Sequence, residues 1–146
     1  TELAEYDDAL LRQERTGDKR NNDKTHDPRS ELGQALYMLL SAYIQWNDAP
    51  DLTYFDFKPD EQWVEDSLYF SAVGDMAKLA DDVYSRVSPI VPVHERSKLD
   101  NMLSQADEAY NDIYALVIRH SWDFDALIDD TCAAFEAKHA PAREAR

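Results

Sequence analysis

The sequence predicts an all-α fold: an antiparallel helical bundle of four long helices plus one shorter helix, in a single domain over residues 1–146. Three observations predict it. Apolar residues recur at spacings of three and four in five separate stretches, which is the period of one helix face. Only 3 glycines and 6 prolines occur, too few turn formers for the many short connections of a β sandwich or barrel. Apolar residues make up 44% of the chain against 31% charged, and a domain of this length can bury roughly 70% of the surface its unfolded chain exposes.

The first helix is expected from about Glu2 to Arg15, with Leu3, Tyr6 and Leu10 on one face. A polar, charged loop follows over about residues 16–27. The second helix opens at Pro28 behind Asp27, an N-cap residue type, and carries Leu32, Leu36, Leu39, Leu40 and Tyr43 before closing near Trp46. The third is expected to begin near Pro59, with Asp60 and Glu61 in a first turn where the helix dipole favours acids. Its inward residues are expected to be Trp63, Phe70, Val73, Met76, Ala80, Val83 and Val87. The prolines of "SPIVPV" end it, because proline lacks the N–H and clashes inside a helix. The fourth is expected from about Glu95 to His120, with Leu99, Met102, Leu103, Ala106, Tyr110, Ile113 and Val117 inward. His120 continues that stripe and reads as a satisfied core or boundary histidine. The fifth starts near Asp123 and carries Phe124, Leu127, Ile128, Thr131 and Phe135. Cys132, on the same pattern, is expected to be a small core residue. The tail, about 140–146, is expected to fray.

Thirty acids against fifteen bases give a net charge of -15. Like charge opposes direct binding to a nucleic-acid backbone and favours a basic protein as partner. No run of about 18 apolar residues offers a membrane-spanning helix. With no signal-peptide pattern and a single cysteine, hence no intrachain disulfide, the expected compartment is the reducing cytoplasm. The charges are uneven: between Ser30 and Val91 only Lys58, Lys78 and Arg86 stand against eleven acids.

No catalytic residue is assigned. Glu136 and His139 have Glu-x-x-His spacing, but one pair cannot make a di-metal site. Gly17, Gly33 and Gly74 are isolated and form no phosphate loop. The candidate binding surface is the acidic and aromatic stretch around "PDLTYFDFKPDEQW", with Asp48, Asp51, Tyr54, Phe55, Asp56, Asp60 and Glu61 as its residues. Carboxylates steer a basic partner toward contact, and aromatics supply the anchors of an interface. By class and charge this is the profile of small acidic inhibitors of nucleases and DNA-binding proteins: immunity proteins, antitoxins and phage anti-defence proteins. The expected function is therefore a protein-interaction module that needs no cofactor. Self-assembly as a structural subunit is a further reading.

Two resemblances add alternatives. The stretch "RQERTGDKRNNDKTHDPRSELGQALYMLLSAYIQW" resembles the opening of short phage-type proteins related to MazG-like all-α nucleotide pyrophosphohydrolases, at Arg12, Gln13, Arg15, Asp23, His26, Glu31, Leu32, Gln34 and Ala35. "GDMAKLADD", residues 74–82, is similar to that family's later Asp-bearing helix. The resemblance implies bound magnesium, with Glu31, Asp75 and Asp82 as its ligands. That family holds the metal with Glu-x-x-Glu and Glu-x-x-Asp pairs. Here Gln34 stands three residues after Glu31, and Ala72 three before Asp75. Convergence of Glu31, Glu65, Asp75 and Asp82 on one point would support the metal reading. "RNNDKTH", Arg20–His26, resembles the Arg-x4-6-His element of HEPN-type ribonucleases, which implies a phosphate-binding arginine and an acid–base histidine.

Overall fold

Asp27 starts the second helix as its sequence position demands. Its side chain accepts a hydrogen bond from Ser30 N at 2.7 Å, and Pro28 occupies the first helical position, where a missing N–H costs nothing. The computed structural model describes residues 2–16, 27–52 and 62–144, with side chains for 2–13, 27–52 and 65–141. Five α-helices occur there: α1 (Glu2–Thr16), α2 (Pro28–Gln45), α3 (Gln62–Val87), α4 (Leu99–Arg119) and α5 (Phe124–Glu144). A 3-10 turn, Val93–Glu95, precedes α4. No strand occurs among the described residues, so the fold is all-α. None of these helices is long and apolar enough to cross a membrane.

Two helices end by the same device. At the end of α2, Asn47 takes a left-handed φ of 55°, and the N–H groups of Asn47 and Asp48 return to the carbonyls of Ile44 and Tyr43. At the end of α4, Ser121 takes φ 57°, and the N–H groups of Ser121 and Trp122 return to Ile118 and Val117. Both arrangements satisfy the last carbonyls of their helix in the Schellman manner. The second one turns the chain into α5, where Asp123 caps by accepting from Ala126 N at 2.8 Å.

Helix α4 is the axis of the fold. Ala109 through Ile113 and Ala115 through Val117 are all buried, so neighbours surround it rather than cover one stripe. Polar bonds align it antiparallel to α3: Asp82 with Ser97 just before α4, Asp75 with Gln105, and Ser71 with Asp112. Ser97 N also bonds Ser85 Oγ, fixing the connection at its far end. Helix α2 reaches α4 through Tyr43, whose hydroxyl donates to Asp107 at 2.5 Å. It meets α5 at Gly33, where an added Cβ would overlap Thr131 Oγ1. Tyr37 and Phe135 stack above that contact at 4.2 Å. Helix α1 is held by the fully buried Tyr6, with Leu3 and Ala9 beside it.

Two expectations about side-chain burial need correction. Cys132 is exposed. The inner line of α5 is Leu127 and Thr131, four residues apart, and Cys132 sits about 100° round the helix from Thr131. The expected inward face of α3 is also rotated. Met76 and Val83 are half-buried, but Phe70, Val73, Ala80 and Val87 are exposed, while the core takes Glu65, Ala72 and Leu79 with Leu68 and Tyr69 packed near them. The side chain of Trp63 lies outside the described residues.

Candidate functional site

The rotation of α3 leaves an apolar face in solvent. Phe70, Val73, Ala77, Ala80, Tyr84 and Val87 follow one another at spacings of three, four, three, four and three. That rhythm keeps them on one side of a helix, about 110–130° round from Ala72 and Leu79. Phe70 is 69% exposed, Tyr84 54% and Val87 69%. Gly74 lies on the same side, and nothing comes within 4 Å of a Cβ built there. Ile90 and Val93 continue the exposed apolar character beyond the helix end. Asp81 is exposed about 70° from the centre of this stripe, and Lys78 is exposed about 130° from it on the same side. Single exposed apolar residues are ordinary; a contiguous exposed row of this length is not.

The buried polar groups form separate clusters that tie helices together. Tyr6 donates to Glu65 Oε1, and its oxygen lies 2.8 Å from His120 Nε2. Glu65 Oε2 lies 3.4 Å from Arg119 Nε and 3.4 Å from His120 Nε2. Trp122 stacks on the His120 ring at 4.2 Å. Burial alone would push the Glu65 carboxyl up. Hydrogen bonds from His120 and Tyr6, with the charges of His120 and Arg119, outweigh it and hold Glu65 below the usual carboxylate range. Burial, then the bond to Glu65, pushes the Tyr6 hydroxyl far above its ordinary value. The cluster is a clamp joining the start of α1 to α3 and the end of α4.

A second cluster lies in the α3–α4 seam. Ser71 Oγ donates to Asp112 Oδ2 at 2.8 Å, and Gln105 Nε2 donates to Asp75 Oδ1 at 3.0 Å. Asp112 is almost fully buried. Burial first, then its hydrogen bond with Asp75 and the charges of Asp75 and Glu108, push its carboxyl up to about 7, against the opposing pull of Ser71. Two neighbouring carboxyls in this seam cannot both ionise cheaply, so below about pH 7 Asp112 keeps its proton.

The candidate residues of the sequence fall into different neighbourhoods. Asp48 and Asp51 are exposed, on a loop pinned to α4: Asp51 N donates to Asp107 at 3.1 Å and Asn111 Nδ2 donates to Asp51 O at 2.9 Å. Tyr54, Phe55, Asp56, Asp60 and Glu61 lie outside the described residues, as does Arg20–His26. Glu31 lies beside Glu2 and Glu5, their carboxylate oxygens all within 4.8 Å of one another. Asp75 faces Asp112, and Asp82 accepts from Ser97 at 2.9 Å. Among the described residues, Glu31, Asp75 and Asp82 do not gather as a ligand set, and Glu65 belongs to the Tyr6 clamp. Three carboxylates such as Glu2, Glu5 and Glu31 are of the kind that hard divalent cations take, through oxygen, while exposed acids gather without one as well.

Sequence reasoning missed the outer face of α3, the Tyr6–Glu65 clamp and the Asp75–Asp112 pair. The only signal for the clamp was His120 at the end of an inward stripe. The signal for the outer face was present, in the three–four rhythm, and was assigned to the core. No protein-family model, no curated protein and no solved structure matches the chain.

Proposed function

We propose that this chain is a non-enzymatic protein-interaction module that docks through the outer face of α3. The observation that carries the reading is the exposed row Phe70, Val73, Ala77, Ala80, Tyr84 and Val87, with charged Lys78 and Asp81 at its side. A bulky apolar row with polar flanks has the make-up of an interface centre and rim. Outside that row, the strongly acidic remainder of the molecule, including exposed Asp48 and Asp51, offers a second surface that favours a basic partner in a cytoplasmic setting, as an inhibitor or immunity-type protein would use. The test is the double variant Phe70→Asp with Val87→Asp. Both residues face solvent, so its stability should stay within about 1 kcal/mol of the parent, while association through the face is lost. A loss of several kcal/mol would mean that the face is covered within the chain itself, and the reading would fail.

A second reading, magnesium-dependent nucleotide hydrolysis of the MazG-like kind, draws support from the Glu2, Glu5 and Glu31 carboxylates. Magnesium with a nucleoside triphosphate should then raise the melting temperature and release pyrophosphate. Equal melting with and without both rejects it.

A further inference from the structure

We infer that the partner of the α3 face is a second copy of this chain, bound with its own α3 antiparallel about a two-fold axis between Ala77 and Ala80. This inference rests on the docking role proposed for that face. The size of the residues along the row sets the arrangement. Bulk sits toward the ends, at Phe70, Tyr84 and Val87, and the middle is small, at Gly74, Ala77 and Ala80. Antiparallel pairing about the centre places Phe70 opposite Val87 of the other copy, Val73 opposite Tyr84, and Ala77 opposite Ala80. The two aromatic residues, Phe70 and Tyr84, then each meet a valine, and the helices can approach closely where they cross. A parallel pair would set Phe70 on Phe70 and Tyr84 on Tyr84, leaving a gap at the alanines.

Charge points the same way. Lys78 and Asp81 lie on the same side of the row. An antiparallel two-fold keeps like sides together, so the long Lys78 side chain of each copy can reach round its helix toward Asp81 of the other, twice over. These residues include one of only three bases between Ser30 and Val91, level with the middle of the apolar row along the helix. Area agrees as well. A whole aromatic side chain offers roughly 150–250 Å². From their exposed fractions, the residues from Phe70 to Ile90 present on the order of 600 Å² per copy, or about 1,200 Å² for a pair, at the lower edge of specific interfaces. The result is a reversible dimer of modest affinity rather than an obligate one.

The test is the mass of the full chain by light scattering across concentration and salt. The expected mass rises from 16.8 kDa toward twice that value. Because each copy carries a net charge of -15, added salt should strengthen the dimer, whereas contact with a basic partner weakens with salt. Ala77→Arg, at an exposed position, should abolish the rise while leaving the helical spectrum unchanged, and Ala77→Ser should keep it. Lys78→Asp and Asp81→Lys should each weaken the dimer about tenfold, and the two together should restore it. In a Cys132→Ser background, Phe70→Cys mixed with Val87→Cys should form a disulfide between the two variants. Neither should do so alone, since like positions would lie about 25 Å apart along the helix. A mass of 16.8 kDa at every concentration overturns the second copy as partner and leaves the docking face to the stability test above. A dimer that persists in Ala77→Arg, or a self-disulfide of Phe70→Cys, overturns the arrangement.

Discussion

Replacing Asp112 with asparagine should stabilise the protein by an amount that grows as pH rises from mildly acidic to mildly alkaline. Asp112 is almost fully buried in the α3–α4 seam against Asp75, and its carboxyl is pushed from an ordinary 3.8 up to about 7. The unfolded chain therefore releases this proton near 3.8, while the folded chain holds it to about 7. Between those values the folded state binds more protons, so stability falls as pH rises through that window. At about 1.4 kcal/mol per pH unit the ceiling on this loss is about 4 kcal/mol. Solvent at the exposed Glu108 rim screens part of the repulsion, leaving an expected effect on the order of 2 kcal/mol. Asparagine keeps an acceptor for Ser71 and offers an N–H to Asp75, but cannot ionise. Urea unfolding followed by circular dichroism at about pH 5 and about pH 8 measures the difference directly, since all other acids are common to both proteins. The variant's advantage over the parent should be small at the lower pH and grow by about 2 kcal/mol at the higher. An equal difference at both pH values, or a less stable variant at the higher one, would refute the shared-proton account.

Gly33→Ala should destabilise by about 1–3 kcal/mol despite alanine's better helix propensity, because its methyl group would overlap Thr131 Oγ1 and press on Leu127. Adding Thr131→Ala should recover much of that loss in the same unfolding assay. Tyr6→Phe removes the hydroxyl shared by Glu65 and His120 and should cost about 1–3 kcal/mol. Glu65 sits below its ordinary 4.5, so its contribution is present above that pH and lost as pH falls through the lowered folded value; the acid-unfolding midpoint of Tyr6→Phe should move to higher pH. Ser121→Gly should stabilise by about 0.5–1 kcal/mol, read as a higher melting temperature, because glycine takes the left-handed φ of 57° without the strain a side chain carries.

The helix signals in the sequence were local, and they were legible for that reason. Asp27 and Pro28 mark the start of α2, and Asp123 marks the start of α5. The α4 stripe from Met102 to Val117 points inward as its period requires. Helix α3 carries two apolar faces, and period alone names a face without saying which neighbour covers it. The expected face joined Phe70, Val73, Ala80 and Val87 of the outer row to the half-buried Met76 and Val83, while the true inner face is built on Ala72 and Leu79 with a buried Glu65. Cys132 was misplaced by a single helical step from Thr131. The buried polar clusters could not be read at all. Tyr6 meets partners 59 and 114 residues away, and only the packing of α1 against α3 and α4 brings them together. Asp75 and Asp112 look in sequence like any two acids of an acidic chain.

The central claim is that the outer face of α3 is open in the single molecule and covered in its assembly. Hydroxyl-radical footprinting of the pure protein, dilute and then concentrated, measures this at Phe70, Tyr84 and Val87. The account predicts heavy labelling of all three in dilute solution and strong protection on concentration, with exposed Ile44 labelled equally in both. Protection of the three residues in the dilute monomer, or equal labelling at every concentration alongside a doubled mass, would contradict it.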